Sequence, residues 1–152
     1  MVSIDRSARD ANGLPLVAGA ERRYVVGPAI RQHVDPAAWR LRSPGADSLD
    51  ALVVGFDRPL DRALLEHSLV VLDAHDRAVD GQATIADGES SWTFRPLHPW
   101  RPEVYHLSVD ARLEDLAGNS LTRLFDRDLT HPKDAPIDID RAMLEFRPRS
   151  RG

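Results

Sequence analysis

The sequence contains no cysteine. That excludes a disulfide framework, a thiol nucleophile and a cysteine-ligated zinc or iron–sulfur site. Lysine is nearly absent too: Lys133 stands alone against nineteen arginines, a bias expected of GC-rich coding rather than of a binding device. No basic stripe is present, and the net charge of −4 with interspersed signs argues against a nucleic-acid surface. No apolar run approaches the length of a membrane span, so membrane insertion is not expected. The opening "MVSIDRSARD" lacks the charged-then-apolar pattern of a signal peptide.

What is present is globular. Hydrophobic residues make up 42% of the 152, and charged residues 29%. A core of about 95 residues can bury most of its apolar surface and fold without staples.

Short alternating runs dominate. Leu52, Val54 and Phe56 alternate, as do Trp92 and Phe94, and Tyr105, Leu107 and Val109. Period two over four to six residues predicts half-buried strands. Another strand is expected at 69–74. Turn-forming clusters at 43–48, 74–81, 86–90, 97–103 and 116–119 separate the runs, the spacing of a sandwich or barrel. Residues 58–68 differ: Leu60, Leu64 and Leu65 share a helical face, predicting one or two helical turns with Asp61 near their N-terminal end. The predicted core is Leu52, Val54, Phe56, Trp92, Phe94, Tyr105, Leu107, Val109, Leu121 and Phe125.

One stretch occurs twice. "VSIDRSARDANGLPL" (2–16) aligns with "LSVDARLEDLAGNSL" (107–121) at a constant offset of 105, with Ser3/Ser108, Asp5/Asp110, Asp10/Asp115, Gly13/Gly118 and Leu16/Leu121 identical. The repeated piece reads as strand, loop, strand, in which the aspartate accepts bonds from its own turn and the glycine supplies a backbone conformation other residues resist. An offset of about one small domain suggests a tandem array.

Candidate chemistry is sparse. Asp110, Glu114 and Asp115, with Asn119, could offer oxygen ligands to calcium, although the spacing lacks the dense alternation of a dedicated loop. The histidines, His33, His67, His75, His98, His106 and His131, include no metal-binding i, i+4 pair, and all are expected at the surface. Ser90, Ser91 and Ser108 lack a nucleophile-elbow context. No catalytic, cofactor-binding or metal-ligating residue is assigned, and no cofactor is expected. Trp39 and Trp100, if exposed, would suit carbohydrate stacking or a protein contact; Trp100, in a Pro-flanked turn, reads instead as a plug over one end of the sandwich.

The segments "VVGFDRPLD" (53–61), "WTFRP" (92–96), "YHLSVD" (105–110) and "EDLAGNSL" (114–121) occur in an order that resembles bacterial Ig-like domains of the S-layer-protein (SbsA-like) type. "HPWRPEVY" (98–105) departs from that pattern. The resemblance implies an all-β, Ig-like antiparallel sandwich of about seven strands with one short helical turn. It also implies a non-catalytic structural or spacer module of a bacterial exported or cell-surface protein, placed outside the cell or in its envelope. Its partners would be neighbouring Ig-like domains in the same chain, with protein or glycan as further partners. A glycan- or protein-binding module and an accessory domain of a hydrolase are the alternatives. Four segments follow: 1–28, the C-terminal hairpin of a truncated preceding Ig-like domain; 29–36, a linker; 37–129, the sandwich; and 130–152, a partly flexible tail able to dock through "IDIDRAMLEF".

Overall fold

The computed structural model describes residues 2–4, 7–15, 20–22, 30–125, 130 and 137–150. Seven of its strands form two antiparallel sheets. One sheet has the order β3-β4-β7-β6, from Arg40–Arg42, Leu52–Gly55, Ser91–Pro96 and Gly81–Ile85 respectively. The other has the order β5-β8-β9, from Leu69–Leu72, Tyr105–Asp110 and Arg141–Phe146. The chain therefore changes sheet three times, which is how a sandwich closes over one core. Strands β1 (Val2–Ile4) and β2 (Ala20–Arg22) make a separate antiparallel pair.

The alternation in the sequence sets the inward rows. Leu52 pairs with Phe94 and Val54 with Trp92 across β4 and β7. On the facing sheet Val71 pairs with Leu107, Leu69 with Val109, and Tyr105 with Phe146. All ten of these side chains are buried. At Gly81 an added Cβ would run into the Phe94 ring, so the glycine lets that ring lie flat over the β6 edge.

The helical segment forms as expected. Helix α1 spans Arg62–Ser68, and Asp61 caps it by accepting the Leu64 amide at 2.9 Å. Leu65 points into the core, and so does Leu60, which lies just before the helix and bridges to Asp115. Leu64, expected on the same helical face, is exposed.

Two further expectations are corrected. Phe125 is 78% exposed. It lies beyond the last inward row, with its amide donating to Asn119 Oδ1 and its ring laid over Gly118. Phe56 is only partly buried, edge-on to Trp39 at 4.8 Å. The sandwich also runs past residue 129. Strand β9 pairs with all six residues of β8 and sends Phe146 into the core. Beyond it, Arg149 exchanges backbone hydrogen bonds with Pro44 and Ala46, tying the end of β9 to the first sheet.

One five-residue turn occurs three times, at Asp10–Leu14, Asp73–Arg77 and Asp115–Asn119. In each, the first aspartate's Oδ1 accepts the amides two and four residues on, at 2.8–3.0 Å. In each, its carbonyl accepts the amide three residues on and its own amide donates to the fifth carbonyl. The fourth residue has positive φ: +79° at Gly13, +58° at Asp76 and +81° at Gly118. This is the three-residue hairpin loop that ends in a left-handed residue.

Candidate functional site

The Asp115 turn is the most elaborate polar feature. Asp115 is 4% exposed and Asn119 1%. Asp115 Oδ1 receives the Ala117 and Asn119 amides, and Oδ2 receives Arg58 Nη1 at 3.1 Å and Asn119 Nδ2 at 3.1 Å. A buried carboxylate is tolerable only when paired and hydrogen-bonded in this way. Arg58 was not singled out in the sequence; its signal is the "FDRPLD" run, where a cation precedes the helix cap.

This arrangement shows what the four residues offered as calcium ligands bind within the chain. Both Asp115 oxygens already face N–H donors, which a cation would have to displace. Asp110 turns away to Arg112, which grips it with Nε at 3.0 Å and Nη2 at 2.8 Å. Glu114 contributes its backbone to a bridge with Ser120. Among the described residues no group of three His, Asp or Glu side chains is placed to hold a metal ion.

The shifted titrations are equally structural. The Arg112 fork holds the Asp110 carboxyl down at about 2. Backbone and side-chain bonds from Arg77 do the same for Asp73, also at about 2. Burial raises the Tyr105 phenol, whose oxygen accepts the Arg101 amide. Asp73 and Tyr105 line one opening beside His98 and Glu103, but the Asp73 carboxylate is held by Arg77 and the Tyr105 oxygen by the Arg101 amide. Because both carboxyls are depressed below their unfolded value of about 3.9, they add stability above that pH and lose it as pH falls towards 2. Unfolding midpoints measured from pH 5 to pH 2 should therefore decline through this window. The decline should be shallower in Asp110→Asn with Asp73→Asn; an unchanged slope would rule these pairs out as its source.

The tryptophans do not form a platform. Trp100 is 1% exposed, donates its Nε1–H to the Asp50 carbonyl at 2.7 Å, and meets Tyr105 and Phe146 edge-on at 5.0 and 5.7 Å. It is the plug over one end of the sandwich. Trp39 is 6% exposed. Burial removes both faces from any sugar or protein, so the aromatic binding site on Trp39 and Trp100 is withdrawn.

The five described histidines do not converge. His67, His75 and His98 are exposed. His33 and His106 are half-buried rather than at the surface; His33 Nδ1 lies 3.2 Å from the Ser120 carbonyl. His131 lies outside the described residues. Ser108 is buried, with Arg141 Nη1 donating to its hydroxyl at 2.9 Å.

An open groove of about 740 Å³ runs between residues 32–38 and β9, walled by Val34, Pro36, Leu121, Ile137, Ile139 and Leu144. Of its charged members Asp35, Asp57 and Arg58, the last two pair with each other at 3.1 Å. The groove is mainly apolar and open.

Residues 42–133 match the family described as the Bacterial Alpha-2-macroglobulin MG1 domain. That is more than half of the chain. The chain belongs to this family. The match overturns the resemblance to S-layer-protein Ig-like domains. The segments that carried that resemblance are a helix cap, a strand with its inward aromatics, and the D-x-x-G turn. Each has a structural task in this sandwich, and the geometry of that turn occurs three times among the described residues, twice with glycine and once with Asp76 at the left-handed position. A solved structure, native alpha-2-macroglobulin from Escherichia coli spanning domains MG0-NIE-MG1, is similar at 18% identity over 73% of this chain, with a TM-score of 0.45. The chain spans 31% of that structure's length. Comparison with curated proteins gives no match. As an MG1 domain the chain is a structural module with an Ig-like fold. No helix among its described residues is long and apolar enough to cross a membrane.

Proposed function

We infer that this MG1 domain is a non-catalytic spacer in a row of Ig-like modules within an exported bacterial alpha-2-macroglobulin-like protein, acting in the envelope or outside the cell. Its nearest partner is a module of the same kind, whose closing hairpin is β1 and β2.

The observation that carries this reading is the echo between hairpins. At the offset of 105, β1 takes the place of Leu107–Val109 in β8. Ile4 pairs with Ala20 as Val109 pairs with Ala142, so β2 takes the place of β9. The Asp10–Leu14 turn after β1 repeats the backbone bonds of the Asp115–Asn119 turn after β8, flanked by the bridges Arg9–Pro15 and Glu114–Ser120, a frame that the Asp73–Arg77 turn shares through Leu72–Ala78. In the sequence, Tyr24 follows Ala20 by four residues as Phe146 follows Ala142. Two unrelated loops would share a turn but not the register of the strands that flank it.

A two-stranded ribbon is marginal in water unless a third element or a second layer covers it. Hydrogen exchange on the full chain should therefore find amides of residues 2–22 far less protected than those of β8. Equal protection would mean that hairpin and sandwich form one cooperative unit, and would sink the tandem reading.

A further inference from the structure

The three copies of the Asp turn differ at their fifth position: Leu14, Arg77 and Asn119. The backbone pattern is the same in all three, so the turn itself does not need asparagine. Leu14 is exposed, whereas Asn119 is buried and uses its whole amide group. Its Nδ2 donates to the Ile30 carbonyl at 2.9 Å and to Asp115, and its Oδ1 accepts the Phe125 amide. Arg58, held by Asp115, donates through Nη1 to the Gln32 carbonyl at 3.2 Å. The Val34 amide then donates to the Ser120 carbonyl at 3.1 Å, and the Val34 side chain enters the core. The carbonyls of residues 30 and 32 and the amide of residue 34 are thus all met, with His33 Nδ1 also 3.2 Å from the Ser120 carbonyl, so the contacts run along the whole segment. Ile30 and Gln32 are met through their carbonyls while remaining exposed.

We propose that the Arg58–Asp115–Asn119 cluster is a docking site for the extended segment 30–34, and that seating this segment stiffens the joint between the sandwich and the module before it. The partner is a stretch of main chain, recognised through carbonyls at alternate residues and anchored by one valine. Asp115 is the hub: its carboxylate fixes both donors that reach the segment. The stiffening of the joint rests on the tandem reading; the docking does not.

Trypsin acting on the full 152-residue chain tests this at the bond after Arg31. When reclosing is fast, cleavage follows the population in which the segment has left its seat. Asn119→Leu installs the residue that the first copy of the turn already carries, preserving the turn while removing the contact to Ile30. Cleavage after Arg31 should accelerate at least about tenfold, equivalent to ~1.4 kcal/mol of docking, with amide protection across 105–110 unchanged. Arg58→Lys keeps a cation against Asp115 but loses the fork that reaches Gln32; it should accelerate the same cut several-fold. Unchanged cleavage in both variants overturns the proposal. So does acceleration that only tracks loss of protection in β8, since that is unfolding of the sandwich. A hairpin as protected as β8, with the Arg31 bond still slow in the parent chain, would remove the tandem reading and leave the docking site standing.

Discussion

Trp100→Ala should destabilise the sandwich by about 3–5 kcal/mol, measured by denaturant unfolding at constant slope. The side chain is fully buried and closes one end of the core against Phe94, Tyr105 and Phe146. Truncation removes that apolar surface and leaves a cavity between two sheets whose backbones are fixed by their own ladders, so collapse can recover little of the loss. Trp100→Phe separates the two contributions. It retains an aromatic ring in the same place but leaves the Asp50 carbonyl without its indole donor, which should cost about 1 kcal/mol from the hydrogen bond beyond the loss of ring area. A surface tryptophan used for binding would behave otherwise, with both changes staying within about 0.5 kcal/mol. That result would put Trp100 back at the surface.

The same residue shows where the sequence was informative. Strand positions in β4, β5 and β7 were legible because each strand is fully buried on one face only, and the pleat turns that asymmetry into alternation; in β8 the apolar residues alternate although Ser108 on the other face is buried too. Asp61 was legible because a helix cap is a local event. Phe125 was not: a phenylalanine after Leu121 continues an apolar pattern in the text, while in space the chain has already left the sheet and the ring covers Gly118 instead. Strand β9 carries a weaker pattern, since Ala142 and Leu144 are only partly buried along an edge, and the Pro- and Asp-rich stretch before it reads as a tail. The Arg58–Asp115 pair joins residues 57 positions apart, a contact that no local spacing encodes. Asn119 looked like one more turn residue; only comparison with Leu14 and Arg77, in turns of identical geometry, separates what the loop requires from what the docking of residues 30–34 requires.

Family membership was obscured for a related reason. The segments that resembled an S-layer module are those the fold demands at fixed places: the helix cap after β4, the inward aromatics of β7, and the left-handed residue after β8. In this chain Asp61 caps α1, Trp92 and Phe94 fill the core and Gly118 takes φ +81°, each a task of the fold. They report the architecture correctly and are silent on the lineage.

Gly118→Val should destabilise the sandwich by about 2–4 kcal/mol, and the matching change at Gly13 should leave its unfolding midpoint unchanged. Both glycines sit near φ +80° in turns with the same hydrogen bonds. A β-branched residue is strained there, by about 1–2 kcal/mol from the left-handed backbone alone. At Gly118 two further costs arise. A Cβ would lie 3.0 Å from the Phe125 ring, forcing it aside. Any opening of the turn also withdraws Asp115 from Arg58, and a buried ion pair that loses its geometry leaves an uncompensated charge. At Gly13 the space around a Cβ is empty, and Asp10 has no buried partner among the interactions described for its turn. Gly118→Ala should fall between the two, keeping the backbone strain while sparing the branch. If Gly13→Val lowers the midpoint as much as Gly118→Val, the two copies of the turn belong to one cooperative unit, and β1 and β2 cannot be the closing hairpin of a separate module.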